Sequence, residues 1–426
     1  MYRRKDGIVD FDKSSCIGCK ACIAACPYDA IFINPNDHSA EKCNFCAHRL
    51  DMGLEPACVV VCPTQAILVG DMADPSSQVA RLIQREPVSV RRPEKETSPK
   101  LFYRGATQAT LDPIAAQRPE GGLFMWSEQP AGDHAVVSGH PKGANSSAAA
   151  ILSYDVPHRV PWDWRVSLYT WTKSIAAGVY LVAATMVATG ALMSTSPLWM
   201  ILTPVLAMVA LAATGALLIW DLEHPERFLY IFTRPQWKSW LVRGGVIIAV
   251  YGMLLVAHLI AGLAGSSTLP QYLIPLGLPV AAMTAAYTAY LFAQSKGRDL
   301  WQNPLLPPHM LVQAVLAGSG ALSLITPASE PDLQAFLLVV FALANSAHLI
   351  TVLGEFTLSH TTAHATLAAN EIKWGAYRIP FWGGIALSVF AVSAPVTGAV
   401  AIVAGLAGLF LFEHAYVQGG QAVPLA

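Results

Sequence analysis

Cys16-Ile17-Gly18-Cys19-Lys20-Ala21-Cys22-Ile23-Ala24-Ala25-Cys26-Pro27 spaces four thiols as C-x2-C-x2-C-x3-C and closes the run with proline. Three thiolates this close together wrap one face of an iron–sulfur cubane, while the fourth points away as the chain enters a helix and ligates another cluster. A second set follows, Cys43, Cys46, Cys58 and Cys62, closed by Pro63. The tails repeat as well, Cys26-Pro27-Tyr28-Asp29-Ala30-Ile31 against Cys62-Pro63-Thr64-Gln65-Ala66-Ile67, which points to a pseudo-two-fold duplication. The simplest assignment of two 4Fe-4S clusters gives one Cys16, Cys19, Cys22 and Cys62, and the other Cys26, Cys43, Cys46 and Cys58. Structural zinc is the bland alternative. Zinc sites do not call for interleaved Cys-Pro pairs, and thiolate sets of this spacing select iron–sulfur clusters.

Away from the cysteines the composition divides in two. The chain has 426 residues, 54% hydrophobic and 13% charged, against roughly 25% charged in an ordinary soluble domain. Residues 1–165 hold 18 of the 27 Lys and Arg and all 8 cysteines; residues 166–426 hold nine Lys and Arg and no cysteine. The first part reads as soluble and the second as membrane. A net charge of −1 gives no hint of nucleic-acid binding. Met1-Tyr2-Arg3-Arg4-Lys5-Asp6 lacks the apolar core of a secretory signal. Three regions follow: a Cys-rich unit at 1–72, an irregular connector rich in Pro, Gly and Ser at 73–165, and a membrane domain at 166–420. The connector's basic stretch, Arg91 through Lys100 to Arg104, reads as a solvated segment or as a contact with anionic headgroups or a partner subunit.

From residue 169 the chain repeats about 20 apolar residues and a short polar loop, the length a helix needs to cross the hydrocarbon core. The pattern predicts spans near 169–193, 198–220, 240–264, 271–294, 309–327, 332–357, 377–395 and 397–416. The last two meet at Ser393-Ala394-Pro395, which is either a turn or a kink, so the count is eight, or seven. Loops on the side of residue 165 (side A) carry Arg227, Arg234, Lys238, Arg243, Lys296, Arg298, Lys373 and Arg378, while the opposite loops (side B) carry no Lys or Arg. That bias predicts side A, and the cluster domain with it, on the cytoplasmic face of a multi-pass inner-membrane protein.

Asp6-Gly7-Ile8-Val9, Cys16-Ile17-Gly18-Cys19, Cys26-Pro27-Tyr28, Lys42-Cys43-Asn44-Phe45-Cys46-Ala47-His48-Arg49 and Gly53-Leu54-Glu55-Pro56-Ala57-Cys58 form a further pattern. They resemble the iron–sulfur subunits of molybdopterin oxidoreductases, such as those of polysulfide, dimethyl sulfoxide and sulfite-oxidising complexes. The membrane half resembles the NrfD (polysulfide reductase membrane subunit) family through Asp221-Leu222-Glu223-His224-Pro225-Glu226-Arg227-Phe228 and Thr233-Arg234-Pro235-Gln236-Trp237-Lys238-Ser239-Trp240. The fold these imply is an α+β ferredoxin-like cluster domain followed by an all-α polytopic bundle of about eight helices. In the iron–sulfur family four cysteine sets are usual, and the two here look like its third and fourth, which pair with the second and first. Met1 is therefore either an internal start, with the cluster pairing changed, or the start of a two-cluster ferredoxin fused to its anchor.

Ionisable groups inside apolar spans are functional candidates by default. Lys173 lies near the side-A end of the first span and either snorkels to the interface or serves the site; Arg243 carries the same ambiguity. His348 and Glu355, seven residues apart, share one helix face, with Thr351 between them and Ser359 and Thr362 extending the stripe. Glu413 joins them at the side-A end. Asp221, Glu223, His224 and Arg227 lie at the same end, where histidine and carboxylates relay protons and arginine bonds a quinone carbonyl, or where all four brace a loop. His258, toward side B, reads as ordinary packing. Haem b is not expected: His258 and His348 lie at opposite depths, and the NrfD resemblance implies none.

The leading expectation is an electron-transfer and anchor subunit. It joins a molybdopterin-type catalytic partner, and in one arrangement a further iron–sulfur subunit, to quinone or quinol at the cluster-side end of the bundle. Membrane lipid is the other partner. Two rivals remain: a redox-driven proton-translocating module, which predicts polar groups continuing to side B, and a passive anchor that binds no quinone. A dinucleotide fingerprint is absent, because the Gly-rich stretches sit within apolar spans.

Overall fold

A computed structural model describes residues 1–106, 111, 160–327, 329–358, 360 and 362–423. Most of the predicted connector, and Ser359 of the predicted stripe, lie outside the described residues. The cluster domain has little regular structure, because its short loops are shaped around cysteines. Two-residue strands Tyr2–Arg3 and Val9–Asp10 pair antiparallel, as do Phe32–Ile33 and Ala40–Glu41. The short helices Ala21–Ala25 and Ala57–Val60 contain Cys22 and Cys58, and Ala47–Leu50 follows Cys46. The described start of the connector is more ordered than its composition predicts. It holds a helix at Gln78–Arg85 and an antiparallel pair, Val88–Ser89 with Tyr103–Arg104.

Among the described residues seven helices are long and apolar enough to cross a membrane: Trp164–Ala188, Leu198–Trp220, Trp240–Leu263, Ile274–Ala293, Leu306–Ile325, Pro331–Thr357 and Ala399–Ala422. The predicted pass at 377–395 is a shorter apolar helix, Arg378–Ala391, followed by a turn of helix at Ala394–Thr397. Gly398, with φ of 62°, then reverses the chain into the last span. The short helix runs antiparallel to that span: a Cβ on Gly384 would meet the Gly408 carbonyl at 2.8 Å, and Gly405 faces Ala391. About eight passes is therefore close to what the helices form.

Small residues set the helix crossings, as close approach in lipid requires. A Cβ on Gly178 of the first span would fall on the Ala314 carbonyl of the fifth, and one on Gly318 would fall on Gly178 itself. Outward faces carry exposed Val209, Met253, Ile260, Leu343, Ile350, Leu353, Val400 and Val403, an apolar surface suited to lipid. Trp164, Trp220, Trp237, Trp374 and Trp382 are exposed at the side-A ends, where indole rings favour the headgroup boundary. One packed core ties the two domains together. Ala24 of the cluster domain shares it with Trp162, Phe292, Leu300, Trp301, Ile372, Phe412 and Val423 of the bundle.

Candidate electron-transfer site

None of the eight cysteines is joined in a disulfide. Left-handed backbone at Gly18 and Lys20 (φ 68° and 59°), and at Phe45 and Cys46 (φ 57° and 50°), folds the two cysteine loops tightly. Backbone amides of Ala40 and Ala66 donate to the sulfurs of Cys16 (3.4 Å) and Cys62 (3.1 Å), the kind of bond that stabilises thiolate ligands of a cluster. Among the described residues no three Cys, His, Asp or Glu side chains converge as a single ion would require. All-thiolate donors on loops folded this tightly suit iron–sulfur clusters. Cys43 and Cys58 are exposed and the other six are partly buried, so one rim of the cluster domain faces outward.

The cluster loop is seated on the loop that follows the second span. The amides of Glu223 and His224 donate to the carbonyls of Gly18 (3.3 Å) and Ile17 (3.2 Å). Only glycine permits this approach at position 18, since a Cβ there would overlap the side chain of Glu223. The Arg227 guanidinium donates to the carbonyls of Lys13 (3.0 Å) and Cys16 (2.9 Å). His224 is held between Glu226 (3.0 Å) and the Asp37 carbonyl (3.0 Å). Lys20, buried, donates to the Asp221 carbonyl at 2.9 Å and pairs with Asp221 (3.4 Å) and Glu223 (3.2 Å). Burial pushes the Asp221 carboxyl up to about 6, against the pull of Lys20 and Arg165. Asp221, Glu223, His224 and Arg227 thus come together at the expected end, but they face the cluster domain and not the bundle interior. Of the two readings open in the sequence, the bracing one describes their contacts.

The bundle interior begins at Trp162. Its indole N–H donates to the Cys19 carbonyl (3.1 Å), and its ring lies 5.7 Å from Trp301 and 5.8 Å from Phe292. Phe292, stacked on Trp301 at 4.6 Å, also lines a small cavity with Thr170, His309, Gln313, Phe412 and Glu413. At about 10 Å³ that cavity has room for about one water, so a quinone ring enters only if side chains move. Beside it His309 and His348 share a 2.8 Å hydrogen bond, and His309 lies 3.8 Å from Glu355, which accepts from Asn303 at 2.9 Å. Glu413 accepts from Thr170 at 3.1 Å.

Lys173 does not snorkel. It is 1% exposed and donates inward to the Ala285 carbonyl (2.8 Å) and Thr288 (2.7 Å). Arg243 does reach the interface, donating to the Trp237 carbonyl at 2.6 Å and lying over Trp240. Thr351 bonds within its own helix, and Thr362 lies beyond the end of that helix as the cap of Ala363–Lys373, so it does not extend the stripe. Sequence reading missed His309, Asn303 and Gln313. His309 sits at the predicted edge of a span, after Pro307-Pro308, where a polar residue draws no attention.

Side B is less bare inside than its loops suggest. His258 is fully buried against Trp199 (4.3 Å) and Tyr180 (5.9 Å). Both its ring nitrogens, the Tyr180 hydroxyl and the Trp199 N–H lack a partner among the described residues. Trp199 lies in a π-helical turn, Leu198–Leu202. A larger cleft of about 610 Å³ opens at this end. Val187, Ser194, Thr195, Gln271 and Ile274 are among its lining residues, none of which titrates.

Residues 1–72 match the family model described as a 4Fe-4S dicluster domain, and residues 153–413 match the one described as polysulphide reductase, NrfD. A tetrathionate reductase subunit of Salmonella typhimurium is 43% identical over 129 residues, covering 30% of this chain and 50% of that protein. A polysulfide reductase polypeptide of Wolinella succinogenes is 46% identical over 102 residues, 24% of this chain and 53% of its own. Protein NrfC of Escherichia coli K12 is 43% identical over 97 residues, 22% and 44% respectively. The chain spans about half the length of the curated relatives it matches.

Proposed function

This chain belongs to the polysulphide reductase NrfD family and carries a 4Fe-4S dicluster domain ahead of the family's membrane helices; from that premise we propose that it links a catalytic reductase or oxidase subunit to quinone. It is a multi-pass membrane protein in which an iron–sulfur electron-transfer domain and a membrane anchor are one polypeptide. When bound, each cluster supplies a site for one electron. The relatives are named for tetrathionate and polysulfide reductases, which supports a catalytic partner; the molybdopterin type is our reading of that kinship. The outward rim with Cys43 and Cys58 is the face we assign to the partner.

The observation that carries the proposal is the seam itself. The Cys19 loop is bonded to Trp162, and Trp162 leads through Trp301 and Phe292 to a buried set of proton-holding side chains. Quinone chemistry moves two protons with its two electrons. In our reading Glu355, His309 and His348 form one proton-holding group and Glu413 with Lys173 another, both within reach of a headgroup that enters from side A. Asp221, His224 and Arg227 act by holding the cluster loop against the bundle. The absence of Lys and Arg from side-B loops supports a cytoplasmic cluster domain. The test is quinol oxidation by the purified, cluster-loaded chain carrying Glu355→Gln, His309→Leu or His348→Ala. We expect a loss of rate of tenfold or more with iron and sulfide content unchanged. Full turnover in all three variants sinks the site and leaves the passive anchor.

One observation favours a second reading, the redox-driven proton-translocating module. The buried His258, Tyr180 and Trp199 group gives the side-B half polar atoms that the loops did not reveal. Acidification by proteoliposomes during turnover, lost in His258→Phe, distinguishes this reading from chemistry confined to side A.

A further inference from the structure

Arg298 lies between the fourth and fifth spans, in a loop that sequence reading counted only as a positive-inside marker. It is not at the surface. The residue is 4% exposed, and its guanidinium donates through Nη1 to the carbonyl of Val423 at 2.6 Å, after the last span. Its Nε has no acceptor among the described residues. The neighbouring acid, Asp299, is already paired with Lys95 of the connector. His364, fully enclosed beside the same group, feels Arg298, Asp299, Arg92 and Lys95, and offers no negative charge.

A buried guanidinium needs compensating charge, because taking it out of water is expensive. Burial pushes Arg298 down to about 10, and the two groups whose charges oppose this are Asp29 and Cys26. Packing explains why Cys26 is close. The helix Ala21–Ala25 ends at Cys26, and its Ala24 sits in the same core as Leu300, Trp301 and Val423. The connector ties the same two places together, since Thr97 bonds Tyr28 and Lys95 pairs with Asp299, so the loop that carries Arg298 lies beside the segment Cys26-Pro27-Tyr28.

We propose that Arg298 is a potential-setting residue, the membrane domain's fixed counter-charge to whichever 4Fe-4S cluster Cys26 ligates. A cubane with four thiolates is anionic and gains one more negative charge on reduction. Arginine stays protonated under all working conditions, and in a water-poor site its field is weakly screened. It therefore favours the reduced cluster and raises that cluster's potential, leaving the more distant one unaffected. The Val423 carbonyl holds the side chain and the Lys95–Asp299 pair holds the loop that carries it, so the charge is built into the fold.

This inference rests on Cys26 as a cluster ligand and not on quinone as substrate. The test is a redox titration of the full-length chain in detergent, followed by electron paramagnetic resonance, for wild type, Arg298→Gln, Arg298→Met and Arg298→Lys. In the two neutral variants one cluster should become harder to reduce by about tenfold in its reduced-to-oxidised ratio, or about 59 mV for one electron. The other cluster should not move, and Arg298→Lys should restore most of the difference. Met keeps an aliphatic stem in the core if Gln does not fold. Unmoved potentials in neutral variants with full iron and sulfide overturn the proposal, as does a Lys variant indistinguishable from Gln. Loss of both clusters from all three variants overturns it too, by making Arg298 a folding residue. Clusters missing from the wild type would instead overturn the reading of the cysteines.

Discussion

Removing the Arg227 side chain should loosen the cluster loop without disturbing the bundle. Arg227 donates two charge-assisted hydrogen bonds, to the carbonyls of Lys13 and Cys16. Such bonds contribute about 1.5–3 kcal/mol each when well shielded. The side chain is 27% exposed, so solvent competition reduces this to roughly 1 kcal/mol apiece, or about 2 kcal/mol in all. At 1.4 kcal/mol per decade that is about a thirtyfold rise in the population of the undocked loop. The structure supplies two reporters, because the amides of Glu223 and His224 donate only across the seam, to Gly18 and Ile17. Hydrogen exchange followed by mass spectrometry on Arg227→Ala should show those amides exchanging tens of times faster, with the spans unchanged. Wild-type exchange at both amides, or acceleration spread evenly through the bundle, would refute the docking role.

Two further outcomes follow from the same geometry. Gly318→Val places a side chain on the Gly178 backbone; overpacking of this kind typically costs about 1–3 kcal/mol. Thermal unfolding in detergent should show a lower midpoint, and on the proposed quinone role, with Lys173 between that crossing and side A, quinol oxidation should fall with it. For Asp221 the folded value, about 6, is above the ordinary 3.8, so the folded state holds the proton more tightly than the unfolded one. Its stabilising contribution is full below about pH 4 and is lost as pH rises through 6, an effect of up to about 3 kcal/mol over two units. The melting temperature of Asp221→Asn should therefore fall less than that of wild type between pH 4 and 7; parallel curves would show that this carboxyl does not titrate with folding.

The 4Fe-4S character of the N-terminal domain, the approximate span positions and the charge asymmetry of the loops were all legible from the sequence, because each is a local property. Thiol spacing within a dozen residues dictates cubane chemistry, and a run of about 20 apolar residues has few alternatives to a membrane helix. The predicted pass at 377–395 was legible only approximately, since the helix there, Arg378–Ala391, falls below that length and a separate turn of helix follows it. What the sequence could not decide was which polar groups meet. His309 and His348 are 39 residues apart, and Lys20 and Asp221 are 201 apart. No periodicity encodes those distances. Lys173 and Arg298 look alike as cations near span ends, yet each turns inward because backbone carbonyls from other helices wait there. Asp221, His224 and Arg227 read from the sequence as either a reactive group or a brace, and only the tertiary structure shows that the cluster loop lies against this segment at Gly18. Local spacing chose the chemistry of this protein; the convergence of distant helices chose where its charges lie.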